Sequence, residues 1–588
     1  MSIQYNLTAN AGQYTEPVSI ISNTKVTATN GYIEWAPNSL EDYKNNVVVW
    51  QTWPVGADGG SAISLNEMIV RLVGVSAGAS AVIDQGNNTS VTFGPTPLNA
   101  YWLVGASMYG IDGGVLAAGL NEAQIANGAT GGVGSADDGE KTTFPDGSVR
   151  KAIYGGIRAI IIGDSRVQFN VDQTNTAITQ RPRWFTFMNA LLGQRFELVN
   201  NAGVAGETAQ QVLNRVLNSN YGVGFGVNGS VSVTPTSNPG IGFDCEYVFL
   251  NVGTNDIFGA SATAAATYAI TEQICDIIRK TGKVLVLSSV IAPNSSLSGY
   301  SNAKAAELVK YNQLLQKYSS ENDGVYFVDT FGSVVSPSSA VIETPAGYLY
   351  DSNHENNLGG YLEAKAYVSV LSGIVPARTG LLASSNAATS ALDASIPQLQ
   401  QNPLNTGTAA ITATGYSGTT ANSQLANANF VRGGGATAVL SSVTRPDGYG
   451  QNIKFACTFT ANGDSLELRG NSYHAQVAAG ENYFAACEVK YTGPSGADLV
   501  AANNLKGVYL SIQATVGGTN YFVQDMFIAS SDVAMIASNT LVLKTPILTI
   551  PAGSVTVFRM NVTIIGAGVS TGSPEVEIGR MAIWKVIE

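Results

Sequence analysis

The stretch from Ile157 to Asn170, IRAIIIGDSRVQFN, decides how this chain folds. Its apolar run (Ile157, Ala159, Ile160, Ile161, Ile162) reads as a strand buried on both faces, the pattern of a parallel sheet covered by helices. The run stops at Gly163-Asp164-Ser165. Glycine permits a tight turn there, and a hydroxyl is left at the strand's carboxyl end, the edge where open parallel sheets hold their ligands. Ser165 is therefore a candidate nucleophile, although Gly-Asp-Ser is also ordinary turn chemistry.

Working outward, residues 153–374 alternate strands with helices. After IRAIIIG come a helical RPRWFTFMNALLG, a strand RFELVN, a helix ETAQQVLNRVL and a strand EYVFLNVG. A helix over 261–281, a strand KVLVLSSVIAP, a helix over 302–319, a strand GVYFVD and a helix over 357–372 complete the series. Five strands with intervening helices predict a central three-layer α/β domain around a five-stranded parallel sheet.

The flanks have a different texture. Residues 1–95 hold short alternating segments such as TKVTATNGYIEWA and NNVVVWQTWP, expected to form an N-terminal β-sandwich module. Residues 96–152 are a Gly-rich connecting segment expected to carry long loops. Residues 375–405 form an Ala/Ser-rich linker, in which Leu392, Ile396 and Leu399 have the heptad-like spacing of a short self-association helix. From 406 to 588 alternating strands return and predict a C-terminal β-sandwich, a carbohydrate-binding or assembly module.

With 588 residues and 45% apolar content, the chain can bury several cores. Charged residues make up only 12% and there are 64 glycines, a profile closer to β-rich extracellular or particle proteins than to cytosolic helical enzymes. Thirty basic against 42 acidic residues give a net charge of −12, which argues against a nucleic-acid-binding surface. No apolar stretch of membrane-spanning length appears. The opening MSIQYNLTANAGQY has no basic segment followed by an apolar one, so no signal peptide is visible. The four cysteines (Cys245, Cys275, Cys457, Cys487) lack CxxC spacing. Free buried thiols are the plain reading, with a Cys457–Cys487 bridge left open. No His, Cys or carboxylate cluster has metal-ligand spacing, and no cofactor is expected.

Three further stretches fall at the ends of expected strands or the starts of helices. They are NAGVAGET at 201–208, GTND at 253–256 and DSNH at 351–354. The glycines of the first let backbone N–H groups approach an anion near a helix N-terminus. Asn255 offers an amide donor on the same edge. Asp351 stands three residues before His354, where a carboxylate can hold Nδ1–H and leave Nε2 facing a hydroxyl. Serine needs such a base to become a nucleophile, and a tetrahedral intermediate needs preformed donors. The chain has only two histidines, so one falling inside this block is informative. The other, His474, reads as a surface or turn residue. Asp164, Asp256 and Asn201 read as loop-bracing, and the aromatics Tyr473, Tyr483, Tyr521 and Trp584 mostly as core, with sugar stacking as the alternative.

This set resembles the SGNH (GDSL-type) hydrolase family, whose blocks stand in order as GDS, NAGVAGET, GTND and DSNH over roughly residues 155–374. The resemblance implies Ser165 as nucleophile, His354 as general acid/base and Asp351 as its orienting carboxylate. It implies an oxyanion hole from the N–H groups of Ser165 and Gly203 and the side-chain amide of Asn255. Arg166 stands where the family often has an apolar residue, and would put a positive charge at the mouth of the site. Topology places segments 166–180, 292–300 and 331–350 on the catalytic edge, making Arg166, Asn170, Pro293, Asn294, Tyr348 and Tyr350 candidate substrate-lining residues. The long segment 219–243 should sit on the opposite edge, in domain or subunit contacts.

The N-terminal segment also resembles small β-modules near the start of phage structural and tail proteins. Together these readings imply a serine esterase that removes acyl groups, foremost O-acetyl, from a polysaccharide. The implied setting is a virion tailspike or receptor-binding protein, a homotrimer that meets other tail proteins and a host surface glycan. A secreted bacterial carbohydrate esterase, an adhesive virion protein whose hydrolase domain only binds, and a lipase or thioesterase are the alternatives.

Overall fold

The computed structural model describes the chain from Gly156 to Val586, apart from 218–244, 281–282, 338–340, several short stretches between 376 and 428, and 495–498, 501 and 536–537. Ahead of residue 156, and at 221–223 and 233–235, it describes strand backbone only. The chain divides into two compact units, one built from residues 1–155 and the other spanning Gly156–Ile587. In the first, Lys25–Thr29, Ala79–Gly86 and Thr89–Thr96 form a three-stranded antiparallel sheet, and Gly31–Ala36 belongs to a six-stranded one. The Gly-rich stretch read as loops supplies three strands of that second sheet, Ala100–Leu103, Ser107–Tyr109 and Val115–Ala118. The segment 219–243 lies outside the described residues, except for a pair of three-residue strands.

The second unit starts with the expected sheet. Strands β1 (Ile157–Gly163), β4 (Phe196–Gly203), β5 (Tyr247–Asn251), β6 (Val284–Ser288) and β7 (Val325–Val328) pair in the order β4-β1-β5-β6-β7, every pair parallel. Alternation along β1 shows why the sequence carries no polar face. Ile160 and Ile162 pack in a core with Val212 of α3 (Ala209–Leu217), Ile274 of α4 (Ala264–Lys280) and Tyr318 of α5 (Asn302–Glu321). Ala159 and Ile161 point the other way, into a core with Trp184 and Phe185 of α2 (Trp184–Leu191) and Tyr367 of α6 (Asn357–Leu371). Trp184 and Tyr367 stack there with ring centroids 4.7 Å apart. Burying both faces under helices is what a parallel sheet requires.

The same second core continues into the C-terminal strands, where it takes in Tyr491, Leu510 and Met535. Those strands form a seven-stranded and an eight-stranded sheet, both mainly antiparallel. Sequence reasoning missed one connection between the regions. Between α1 (Ser165–Gln168) and α2 the chain makes a hairpin of β2 (Val171–Gln173) and β3 (Ala177–Gln180). Of the C-terminal strands β8 (Leu505–Val516) and β9 (Thr519–Asp525), β9 pairs with β3 in parallel, so the hairpin forms one end of the seven-stranded sheet.

The cysteines are the free buried thiols of the plain reading, which rules out the Cys457–Cys487 bridge left open, and the short self-association helix is corrected at its described end. Cys457 and Cys487 are free and buried, on strands separated by the strand Glu575–Val586. Two strand spacings are about 9.5 Å, beyond the reach of a disulfide. The proposed 392–399 helix is not seen at its described end: Leu399 N–H donates to Ile583 O at 3.0 Å, and Gln398 bridges Trp584. Its other positions, Leu392 and Ile396, lie outside the described residues.

Candidate active site

The site is assembled at the carboxyl ends of β1, β4 and β5. At Gly163, a Cβ would stand 1.9 Å from Asn251 O and 2.6 Å from Val167 Cγ2, so only glycine lets the strand turn this close to its neighbour. Asp164 then caps α1, its Oδ1 accepting from Arg166 N–H at 3.0 Å. This leaves Ser165 at the first helical position, where the backbone N–H has no partner within the helix. Gly203, at the end of β4, allows an equally close approach, since a Cβ would meet Gln168 N at 2.2 Å.

His354 Nε2 lies 2.8 Å from Ser165 Oγ, and His354 Nδ1 lies 2.8 Å from Asp351 Oδ2. Asp351 Oδ1 accepts the backbone N–H groups of Asn353 and His354, both at 2.7 Å. Partial burial acts to raise this carboxyl. The His354 bond and the two backbone donors outweigh it and hold Asp351 below its ordinary value. A row of this kind can move a proton from the hydroxyl to the imidazole while a carboxylate fixes the ring.

The donors for an oxyanion converge less completely. Asn255 opens a single π turn, Asn255–Gly259, a feature frequent at functional sites. Its Nδ2 donates to Glu207 O at 2.9 Å, and the second amide hydrogen is available to a ligand. The Gly203 N–H donates to Asn201 Oδ1 at 3.0 Å, while Asn201 Nδ2 ties α1 through Val167 O and Gln168 O. Asp256 braces the start of α3 by accepting Ala209 N–H. Asn201, Asp256 and Asp164 thus hold loops around the site.

The expected substrate-lining residues divide. Arg166 is 3% exposed and is not at the mouth; its Nη2 donates to Asn353 Oδ1 at 3.1 Å, beneath the histidine loop. Asn170 is fully buried and bonds the backbone of Arg166, Val167 and Phe185, a structural brace. Pro293 is buried, and Asn294 holds the neighbouring loop through Glu343 and Thr344 O. Tyr348 is half-buried against the core beside α5. Tyr350 alone is exposed, at 38%, with its ring parallel to the His354 imidazole at 5.7 Å. His474 is exposed on a short turn, and Tyr473, Tyr483 and Trp584 are buried in the C-terminal core.

Phe169, Arg183, Glu355 and Glu363, all near the site, carried no sequence signal. Phe169 meets the His354 ring edge-on at 4.9 Å. Arg183 lies over the Tyr350 ring at 5.6 Å. Arg166 shares a buried electrostatic group with Asp164, Glu355 and Glu363. Burial pushes Asp164 up to about 6 despite the opposing charge of Arg166, and burial together with Glu355 drives Glu363 well above its ordinary value. Among the described residues no group of His, Cys, Asp and Glu is placed to hold a metal ion.

Residues 161–359 match the model of the GDSL-like lipase/acylhydrolase family. Comparison with curated proteins finds no match. Similar solved structures include a mutant of an acetyl-xylooligosaccharide esterase from Geobacillus Stearmophilus, 15% identical with a TM-score of 0.27, covering 37% of this chain and 94% of that one. A family 3 carbohydrate esterase from Clostridium thermocellum is 16% identical with a TM-score of 0.26, covering 37% of this chain and 97% of that one. A GDSL-like lipase from Bacteroides thetaiotaomicron is 16% identical with a TM-score of 0.26, covering 36% and 86%.

Proposed function

Proceeding from a chain that carries a GDSL-like acylhydrolase (SGNH) domain, an ester hydrolase by family, we propose a serine esterase that removes O-acetyl groups from a polysaccharide. The observation that carries this reading is the continuous row Asp351–His354–Ser165, with both contacts at 2.8 Å. Ser165 Oγ attacks the ester carbonyl as His354 Nε2 takes its proton. The oxyanion is received by the Ser165 N–H and the free amide hydrogen of Asn255, and by the Gly203 N–H once it leaves Asn201. Collapse of the tetrahedral intermediate expels the sugar hydroxyl, protonated by His354, and leaves an acyl-serine. Water activated by the same imidazole releases the acid.

A small acyl group is favoured by crowding. Ser165 is only 5% exposed, and Phe169 packs against the imidazole beside it. A glycan is favoured by the weakly charged, polar composition and by the exposed Tyr350 ring at the mouth. The setting we propose is a virion tail, in which a homotrimer deacetylates the host surface glycan as it recognises it. That part rests on the likeness of the N-terminal segment to phage modules.

The test is acetate release from a panel of O-acetylated bacterial polysaccharides, with an aryl acetate as a second substrate, for wild type and Ser165→Ala. Removal of a triad serine should lower turnover by roughly 10⁶. Absence of Ser165-dependent release from both kinds of substrate would overturn the esterase reading.

A further inference from the structure

The mouth of the site does not end at Tyr350. Arg183, whose guanidinium lies over the Tyr350 ring at 5.6 Å, donates its backbone N–H to Arg181 O at 2.8 Å, which ties Tyr350 to the segment that follows the β2–β3 hairpin. Asp172 Oδ2 pairs with Arg181 Nε at 2.5 Å. The Arg181 guanidinium lies over the ring of Phe527, 5.2 Å from its centroid. Phe527 in turn meets Tyr509 of β8 edge-on at 5.3 Å. Asp172, Arg181, Phe527 and Tyr509 are all half-buried, so each keeps a face toward solvent. Backbone bonds fix the strip, because Phe527 N–H donates to Gln180 O at 3.0 Å and Arg181 N–H to Asn170 O at 2.8 Å. The hairpin that follows the serine helix thus lies between the catalytic row and the C-terminal strands.

We infer that Tyr350, Asp172, Arg181, Phe527 and Tyr509 form a row of glycan subsites through which the C-terminal region holds the polysaccharide beside Ser165. The inference rests on the esterase reading above and names where its polymer lies. Tyr350 and Tyr509 are aromatic rings with a polar tip, and Phe527 adds an apolar ring face between Tyr509 and the Asp172–Arg181 pair, a combination suited to the apolar faces and hydroxyls of sugars. The guanidinium fork, already neutralised by Asp172, presents planar donors to neighbouring hydroxyls without demanding an anionic sugar. A long alkyl chain fits this strip poorly, since it would have to cover the Asp172–Arg181 ion pair and remove it from water. The region read as a separate carbohydrate-binding or assembly module would then supply part of the substrate site itself.

The experiment compares kcat/KM for acetate release from the polysaccharide with kcat/KM on an aryl acetate, in the full chain, for wild type, Phe527→Ala and Phe527→Leu. Loss of one aromatic contact should lower the polymer-to-aryl-acetate ratio about three- to tenfold, mainly through KM. Phe527→Leu keeps the apolar volume and should lower the ratio as well, which separates loss of the ring from loss of the fold. Arg181→Gln, which leaves the Phe527 side chain in place but removes the guanidinium over its ring, should act in the same direction. An unchanged ratio in all three variants, with the wild type active on the polymer, overturns the strip and leaves the esterase reading intact. Failure of the wild type to release acetate from any polysaccharide overturns the deacetylase reading and the strip with it.

Discussion

Asp532 pairs with Arg183 at 3.0 Å, and both side chains are buried, at 0% and 6% exposure. The two come from opposite regions of the unit. Arg183 precedes α2 in the hydrolase domain and lies over Tyr350, whose ring stacks on His354. Asp532 sits on a loop of the C-terminal region and is held by Ala529 N–H at 2.6 Å. Nearby, Asn357 at the start of α6 bonds Lys506 O, Val533 O and Val533 N–H. His354 is therefore linked to the C-terminal region by three successive contacts, through Tyr350 and Arg183 to Asp532.

Asp532→Ala leaves Arg183 as an uncompensated buried charge, a change expected to cost about 3–5 kcal/mol. Chemical denaturation of the full chain measures it. A midpoint equal to that of wild type would show that Arg183 finds another partner or water.

Asn255→Ala removes one of the oxyanion donors proposed above while leaving Ser165, His354 and Asp351 in place. Turnover on an aryl acetate should fall by about 10²–10³, with KM little changed. A loss confined to KM would place Asn255 in ground-state binding instead.

Asp351→Asn retains the shape of the side chain but favours the wrong imidazole tautomer. The expected loss in kcat is roughly 10⁴. Because the Asp351 side chain is 43% exposed, the melting temperature should stay close to that of wild type. A large drop in melting temperature would mean that the residue braces the loop rather than the ring.

Arg166→Met removes the cation that acts on Asp164 and Glu363. Without it, ionising these buried carboxyls becomes harder in the folded state, so the variant should lose more stability relative to wild type at pH 8 than at pH 5. The loss of the Asn353 contact should also lower kcat by loosening the histidine loop. Equal destabilisation at the two pH values would contradict the electrostatic role.

Asp525 gives a second pH signature. Burial pushes its carboxyl up to about 7, against the opposing Lys544 N–H bond and Lys544 charge. Its folded-state value lies above the unfolded one, so between about pH 4 and 7 the native state binds the extra proton and its contribution to stability falls as pH rises. Asp525→Asn should therefore gain stability relative to wild type on going from pH 5 to pH 8, read as the difference in unfolding midpoint. A difference independent of pH would show that Asp525 stays ionised.

Much of the catalytic domain was legible in the sequence. The apolar runs of β1, β5 and β6 report burial on both faces, and helical stretches between them leave a parallel sheet as the only simple arrangement. The blocks at 163–165, 201–208, 253–256 and 351–354 were legible too, because turn glycines, caps and a carboxylate three residues before a histidine are local relationships. Their positions at strand ends then brought Ser165, His354 and Asp351 to one edge.

What the tertiary structure alone decided has a common cause: it depends on residues far apart in the chain. Pairing of β3 with β9 joins Thr179 to Gln524, 345 positions away, and leaves no periodic trace in either segment. Arg166 and Asn170 looked like rim residues because a polar side chain after a catalytic serine is ambiguous until the packing above it is known. Here the histidine loop and α2 cover them. The Arg183–Asp532 pair and the Arg181–Phe527 contact likewise exist only because the C-terminal strands fold back onto the catalytic edge. Local sequence determines which backbone groups can turn, cap and extend, whereas burial of a charge and continuity of a surface are properties of what lands on top.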